Sequence, residues 1–336
     1  MDITLADDTF AEKWNEIVAQ SPHGTVFHRW EWLRLAEQQT ASTLYSLIVT
    51  KNDEIKALYP FFVKRNPLLM AFSPAPRSLL LYLGPVIPGY ETMKQSKKES
   101  TFSEIQETVD TYLCSDLGCK YIRIRTAPGL EDSRPMRWAG YDTEVLYTYR
   151  INLSDGPDAI WKRFDRKLRV DINRAIREGV SISEGTEEDI EYILSSLARR
   201  YGEQGENASD YSTYINALCH HGLSDNFRIF TAKYRDEPVG GMISPYSDRI
   251  LYVWTGIPKS DLKGISPNDL VQWEAIKWAC SQGMSWYEIM DAGANERLRF
   301  FKAKYNPELS IWYSCVKYSS EFYRFGEKCG RIIRGR

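Results

Sequence analysis

The chain has 336 residues, 43% of them apolar and 13% aromatic, enough to bury a substantial core and of a length that suits two domains better than one. A formal charge of −2 excludes a global field that gathers nucleic acid or repels a membrane, so electrostatic steering must come from local clusters. No apolar stretch approaches the ~18 to 20 residues of a membrane span; the most hydrophobic segment, 78–87, is broken by Gly84 and Pro85.

The opening residues include Asp7, Asp8 and Glu12, with no basic region followed by an apolar run. They do not read as a secretory signal, and a soluble, cytoplasmic protein is expected. Cysteines at 114, 119, 219, 280, 315 and 329 lack the two-residue spacing of a zinc or redox pair, which predicts reduced structural thiols. His220 and His221 are adjacent and diverge on a helix, while His23 and His28 lie near a turn-like start. Neither a metal site nor a histidine triad is expected.

In chain order, residues 44–50 and 55–63 are β-rich runs around the polar turn Lys51-Asn52-Asp53-Glu54, which predicts a hairpin. A further strand is expected over 79–87. Phe102, Ile105, Val109, Tyr112 and Leu113 fall at helical spacing within 101–117, and Gly118 closes that helix before the alternating strand 120–126. Residues 146–158 read as a strand and turn leading into a long helix over 159–178. Two more helices are expected over 187–203 and 209–222, separated by a polar stretch.

Strands follow at 227–234, 239–247 and 250–258, joined by turns at Arg235-Asp236-Glu237-Pro238 and Asp248-Arg249. A helix over 266–280 has Ser266 as N-cap, Pro267 at its first position and Asp269 three residues after the cap. Gly283 ends it, and 285–291 alternate as a strand. The order hairpin, strand, helix, strand thus occurs twice, with Gly118 and Gly283 in equivalent places. This predicts an α/β protein of two similar domains, 1–150 and 151–336, each a mixed, mostly antiparallel sheet flanked by helices.

Within 159–178, Trp161, Phe164, Leu168, Ile172 and Ala175 form one apolar stripe. Opposite lie Lys162, Arg163, Arg166, Lys167, Arg169, Arg174 and Arg177, with Asp165, Asp171 and Glu178 at the margins. Solvated helices usually mix signs at i,i+4, because like charges so placed repel. A one-sign face therefore points to an anionic, phosphate-bearing partner, which arginine forks bind well. At 287–308 a strand ends in Asp291-Ala292-Gly293, where α/β sheets line their ligand crevices, and Lys302 follows Phe300 and Phe301. A lysine against aromatic walls can serve as a fixed charge for a phosphate or a developing oxyanion.

Phe27 and Trp32 in VFHRWEW, the helix Arg169-Val170-Asp171-Ile172-Asn173-Arg174-Ala175, the element Met290-Asp291-Ala292-Gly293 and the run Phe301-Lys302-Ala303-Lys304-Tyr305 resemble, in order and spacing, FemABX-like proteins, which have tandem GNAT domains. The resemblance runs over almost the whole chain. It implies an N-acyltransferase that moves an aminoacyl group from aminoacyl-tRNA, or an acyl group from acyl-CoA, to an amine of a cell-envelope precursor or related small molecule. No tightly bound cofactor is implied. Carried over by position, Arg169 and Arg174 would contact substrate phosphate or donor, and Phe301 and Lys302 would border the reacting centre. Together with the readings above, Lys302 and Asp291 are the catalytic candidates, and Arg166, Arg169, Arg174, Gly293, Phe301, Tyr305, Trp32 and Arg34 the candidates for substrate contact.

The chain departs from the family where Asn306 follows Tyr305 in place of a common glycine, and where Arg34 and Ala36 follow Trp32 in place of a lysine. The stretch 259–267 has one glycine, and Pro267 removes an amide donor, which disfavours a conventional CoA pyrophosphate cradle; Lys259 and Lys263 leave an atypical one open. The competing reading is a non-catalytic module that binds RNA or an anionic membrane surface, using the basic helix and the aromatic, basic carboxyl-terminal run 319–336 as a second basic helix.

Overall fold

The computed structural model describes residues 1–65, 68–76, 78–203, 226–254, 260, 262–290, 293, 296–320 and 323. Contacts divide the chain into two compact units, Met1–Leu146 with the segment from Ile311, and Tyr147–Ser310.

The first unit contains β1 (Asp2–Leu5), α1 (Ala11–Gln20), α2 (Trp30–Thr40), β2 (Thr43–Lys51), β3 (Glu54–Arg65), β4 (Leu69–Ser73), α3 (Gln95–Thr111), β5 (Tyr121–Arg125) and α4 (Arg134–Trp138). Its strands run β1-β2-β3-β4-β5 and end on β12 (Glu308–Tyr318), the last strand of the chain. All neighbours are antiparallel except β4 and β5, which are parallel. The hairpin turn places Asn52 and Asp53 at φ 52 and 62, the left-handed pair that matches the twist of a two-residue turn. Phe102, Ile105 and Val109 of α3 pack over Ile122 and Ile124 of β5 in one core. Gly118, at φ 76, then releases the chain from α3 toward β5.

The strand expected over 79–87 does not form. The fourth strand is instead Leu69–Ser73, and 79–87 contributes only the isolated bridges Leu58↔Val86 and Leu83↔Thr126. Gly84 turns the chain at φ 91 and Pro85 lacks a ladder donor, while Leu79, Leu80, Leu83, Val86 and Ile87 are buried as irregular segments of the core.

The second unit contains part of β6 (Asp142–Asn152), α5 (Gly156–Arg163), α6 (Arg166–Arg177), β7 (Val180–Glu184), α7 (Glu187–Glu203), β8 (Phe227–Tyr234), β9 (Glu237–Pro245), β10 (Ile250–Tyr252), α8 (Pro267–Ser281), β11 (Trp286–Glu288) and α9 (Glu296–Ala303). β7, β8 and β9 are antiparallel, and a bridge between Tyr246 and Leu251 leads to β10. β10 pairs parallel with β11, and β11 pairs antiparallel with Arg150–Asn152 of β6. Each unit is therefore an antiparallel run, a parallel pair joined through a helix, and a closing antiparallel strand.

Two boundaries differ from those read in the sequence. Residues 311–318 were expected in the second domain, but they belong to the first unit: Ser314–Tyr318 pair with β5, and Tyr313 and Cys315 enter its core. The single helix expected over 159–178 is two, because Phe164 and Asp165 are extended, with ψ 146 and 142. Phe164 there turns its ring onto Trp273 and Tyr305, and the Asp165 N–H donates to the Lys304 carbonyl at 3.0 Å. The helix expected over 209–222 lies outside the described residues, as does the carboxyl-terminal basic run apart from residues 319, 320 and 323.

Candidate functional site

The apolar stripe of α6 is buried as its spacing demands: Leu168, Ile172 and Ala175 pack with Phe164 in the second unit's core. This turns the cations outward. Arg166 and Arg174 are exposed and Arg169 is half-buried. Arg174 donates to the Gly264 carbonyl at 3.1 Å, tying α6 to the loop before α8. The Nε of Arg169 is buried without a hydrogen-bond partner among the described residues. Neither Arg166, Arg169 nor Arg174 forms an ion pair there, so the face keeps its charge. Val170 and Ile176 stand among these cations, 44% and 50% exposed. Ser260 and Leu262, from the loop that Arg174 reaches, line a shallow cavity with Tyr192, Ser195, Arg199 and Val239.

Lys302, in the last turn of α9, is half-buried, and its Nζ donates to the Met290 carbonyl at 2.9 Å. Met290 has φ 55, a left-handed turn of the chain just past β11. The strand end therefore fixes the lysine's ammonium. The aromatic walls expected around it are only partly present: Phe301 is half-buried and packs on the core, whereas Phe300 is 71% exposed. Gly293 is exposed. Asp291 lies outside the described residues.

Tyr305 is corrected from a substrate contact to a core residue. It is 1% exposed, its hydroxyl donates to Asp269 Oδ1 at 2.8 Å, and its ring meets Phe164 and Phe301 at 5.4 and 6.0 Å. Burial and the Asp269 charge hold its phenol well above its ordinary range. Lys304 Nζ donates to the same Asp269 oxygen at 2.6 Å and lies 4.2 Å from the Phe301 ring centroid. Asp269 thus serves this buried pair, and Ser266 makes no side-chain cap, so the capping box read in the sequence is absent. Asn306 takes φ 52, the conformation a glycine would favour at that position.

Trp32 and Arg34 belong to the first unit. Trp32 is 1% exposed and its ring meets Phe27 at 5.6 Å, which makes it core and corrects its expected substrate contact. Arg34 is exposed and paired with Glu37 and, at 3.6 Å, with Asp8.

Sequence reading missed a buried polar row on β6, β10 and β11. Glu288 is fully buried and accepts from Thr148 Oγ1 at 3.0 Å and Arg150 Nε at 2.9 Å, with Tyr252 opposite it in register. Burial and the Glu288 charge raise the Tyr252 phenol. The signal was Glu288 as the one charge within 286–290 and Arg150 as the one charge within 145–151. Among the described residues no group of His, Cys, Asp and Glu side chains could hold a metal ion, and no helix is long and apolar enough to cross a membrane.

Residues 162–302 match the family model described as Acetyltransferase (GNAT) domain. No curated protein matches the chain. Among solved structures, the crystal structure of FemX aligns at TM-score 0.71 and 11% identity, over 93% of this chain and 97% of that one. L-PGS from Bacillus licheniformis aligns at 0.56 and 15%, over 94% and 93%. A tandem GNAT protein from the clavulanic acid biosynthesis pathway aligns at 0.55 and 11%, over 95% and 98%. At these identities the likeness is one of fold. Residues 162–302 thus carry the likeness to the acetyltransferase (GNAT) domain, and the chain shares the fold of FemX along its length.

Proposed function

We propose that the protein forms an amide bond, moving an aminoacyl group from aminoacyl-tRNA, or an acyl group from acyl-CoA, onto an amine of a cell-envelope precursor or related small molecule. The observation that carries this reading is the cationic face of α6, where Arg166, Arg169 and Arg174 have no carboxylate partner among the described residues. Both donors carry phosphates, and arginine forks suit phosphate oxygens. Aminoacyl-tRNA is the donor favoured, because Pro267 takes the first position of α8 and removes an amide from the helix end that would hold a pyrophosphate.

In the step proposed, the neutral amine attacks the activated carbonyl carbon and a carbon–nitrogen bond forms. The carbonyl electron pair moves to oxygen as an oxyanion, then returns as the bond to the ribose oxygen of tRNA, or the sulfur of CoA, breaks. The leaving group takes up a proton and the amine nitrogen loses one. Lys302, fixed by the Met290 carbonyl, supplies the positioned charge that such an oxyanion needs. Asp291 is proposed, from its place in the sequence at the end of an expected strand and from the family resemblance, to receive the proton. Phe301 and Gly293 border the reacting group in the same reading.

A second reading, a binding module for RNA or an anionic membrane surface, is favoured by Val170 and Ile176 exposed among the cations of α6. One experiment separates them. The protein is incubated with a labelled mixture of aminoacyl-tRNAs and, separately, with labelled acyl-CoA, each with an amine acceptor and without one. Loss of label from one donor supports transfer and names its class. Binding of RNA or anionic vesicles with neither donor consumed overturns the enzymatic reading in favour of the module.

A further inference from the structure

On β5 the side chains alternate. Ile122 and Ile124 enter the first unit's core, so Arg123 and Arg125 project from the opposite face. β12 pairs beside it with Ser314 opposite Arg125 and Val316 opposite Arg123. Trp312, two residues before Ser314, shares that face and is diagonal to Arg125.

Three N–H donors on this face, Arg123 Nε, Arg125 Nε and Trp312 Nε1, are buried without a hydrogen-bond partner among the described residues. Neither arginine forms an ion pair there. Aromatic rings stand around them: the Arg123 guanidinium lies 5.1 Å from the Phe72 ring centroid, and Tyr82 meets Trp312 edge-on at 5.1 Å. Burial, then the Arg123 charge, lowers the pKa of Arg125, and the Glu144 carboxylate opposes this without pairing.

The second unit offers an internal comparison. There β11 takes the place of β5, and the corresponding face carries Glu288 bonded to Arg150 and Thr148, so its charges are balanced within the fold. The first unit presents two cations and no paired counter-charge. Two like charges two residues apart repel, and buried donors without acceptors are costly, so a fold that keeps both has a ligand to gain.

We propose that this face of the first unit binds the phosphate group of a small molecule whose ring or apolar part lies against Trp312, which the buried Tyr82 backs. A phosphate dianion matches two guanidinium charges where a carboxylate would neutralise one, and its oxygens suit the two arginine forks and the indole N–H. The site lies outside residues 162–302 and does not depend on the role given to α6.

The test is a calorimetric titration of the full chain with phenyl phosphate and with inorganic phosphate, in an Arg166→Gln, Arg169→Gln, Arg174→Gln background that removes the α6 cations. Saturable binding of one phenyl phosphate, at least tenfold tighter than inorganic phosphate, is expected. Adding Arg123→Gln and Arg125→Gln should weaken it at least tenfold, while the thermal midpoint without ligand stays level or rises as the repulsion is relieved. No saturable binding in the background, or binding that survives the added pair, overturns the proposal. Should the pair fail to fold, Arg123→Lys with Arg125→Lys keeps the charges and removes the forks; binding several-fold weaker supports the site, and unchanged binding overturns it.

Discussion

Lys302 and Lys304 sit two residues apart and are held by different kinds of partner, so their replacement by methionine should fail in different ways. Lys302→Met keeps most of the stem and removes a positioned charge, which should cost roughly 2 to 4 kcal/mol of transition-state stabilisation with little change in thermal midpoint. Lys304→Met strands the Asp269 carboxylate, whose side chain is 2% exposed, and should cost roughly 2 to 4 kcal/mol of folding stability. Turnover and thermal midpoint of both variants decide it: equal loss of activity at unchanged stability in the two would remove Lys302 from the chemistry. The sequence pointed to Lys302 through the order of motifs, but it could not reveal the Lys304–Asp269 pair, since Asp269 also fits a local capping pattern and only the packing of α8 exposes its true partner. His28 gives a prediction for pH. It is fully buried, its Nδ1 accepts from the Thr25 N–H at 3.2 Å, and burial lowers its pKa to about 3. Because the folded value lies below the ordinary ~6.5, the unfolded chain alone takes a proton between these values. Stability held above pH 6.5 should therefore fall as pH drops, by at most ~1.4 kcal/mol per unit from this group. His28→Gln should flatten that part of the stability profile in urea titrations from pH 7 to pH 4; an unchanged slope would mean that other groups set it.

At the scale of elements, α6 shows what hydrophobic period can and cannot give. The stripe Leu168, Ile172 and Ala175 is buried as the spacing requires, and the cations follow on the other side as a geometrical consequence. The break at Phe164 and Asp165 was not legible, because it depends on the carbonyl of Lys304 and on Trp273, both distant in sequence. The segment 79–87 failed for a related reason: its composition is that of a strand, but burial among irregular turns asks for the same residues. Leu69–Ser73, short and next to a less apolar stretch, gave too little period to compete with it. Charge reversal of Arg166, Arg169 and Arg174 to glutamate is expected to weaken donor binding and to lower the salt dependence of the remaining affinity by roughly two to three counterions. The measurement is donor affinity across a salt series, and a slope equal to that of the unaltered chain would leave α6 as a merely solvated face.

For the molecule as a whole, the repeated order of hairpin, strand, helix and strand was legible because each repeat is written in local signals, including Gly118 and Gly283 at φ 76 and 71. The closing strands were not, because antiparallel pairing with a distant segment leaves no local trace. The first unit is closed by β12, from the far end of the chain, and β11 of the second by β6, which begins in the first. A cut at residue 150 therefore severs the first unit from part of its own core. Tyr313 and Cys315 are buried in it, and Lys317 Nζ donates to the buried Asp110 at 2.6 Å, a carboxyl whose pKa burial raises even with that lysine present. Losing the two buried side chains alone removes roughly 3 to 5 kcal/mol at ordinary transfer values, a large share of the stability of a typical domain. A chain of residues 1–310 should accordingly lose cooperative unfolding of its first unit, and residues 1–146 should be cut at protease concentrations that the full chain resists. A synthetic peptide of residues 308–320, added in excess, should restore that resistance by pairing with β5, and its Lys317→Met version should restore less. Equal resistance of the truncated and full chains would show that β12 merely covers an edge that folds without it.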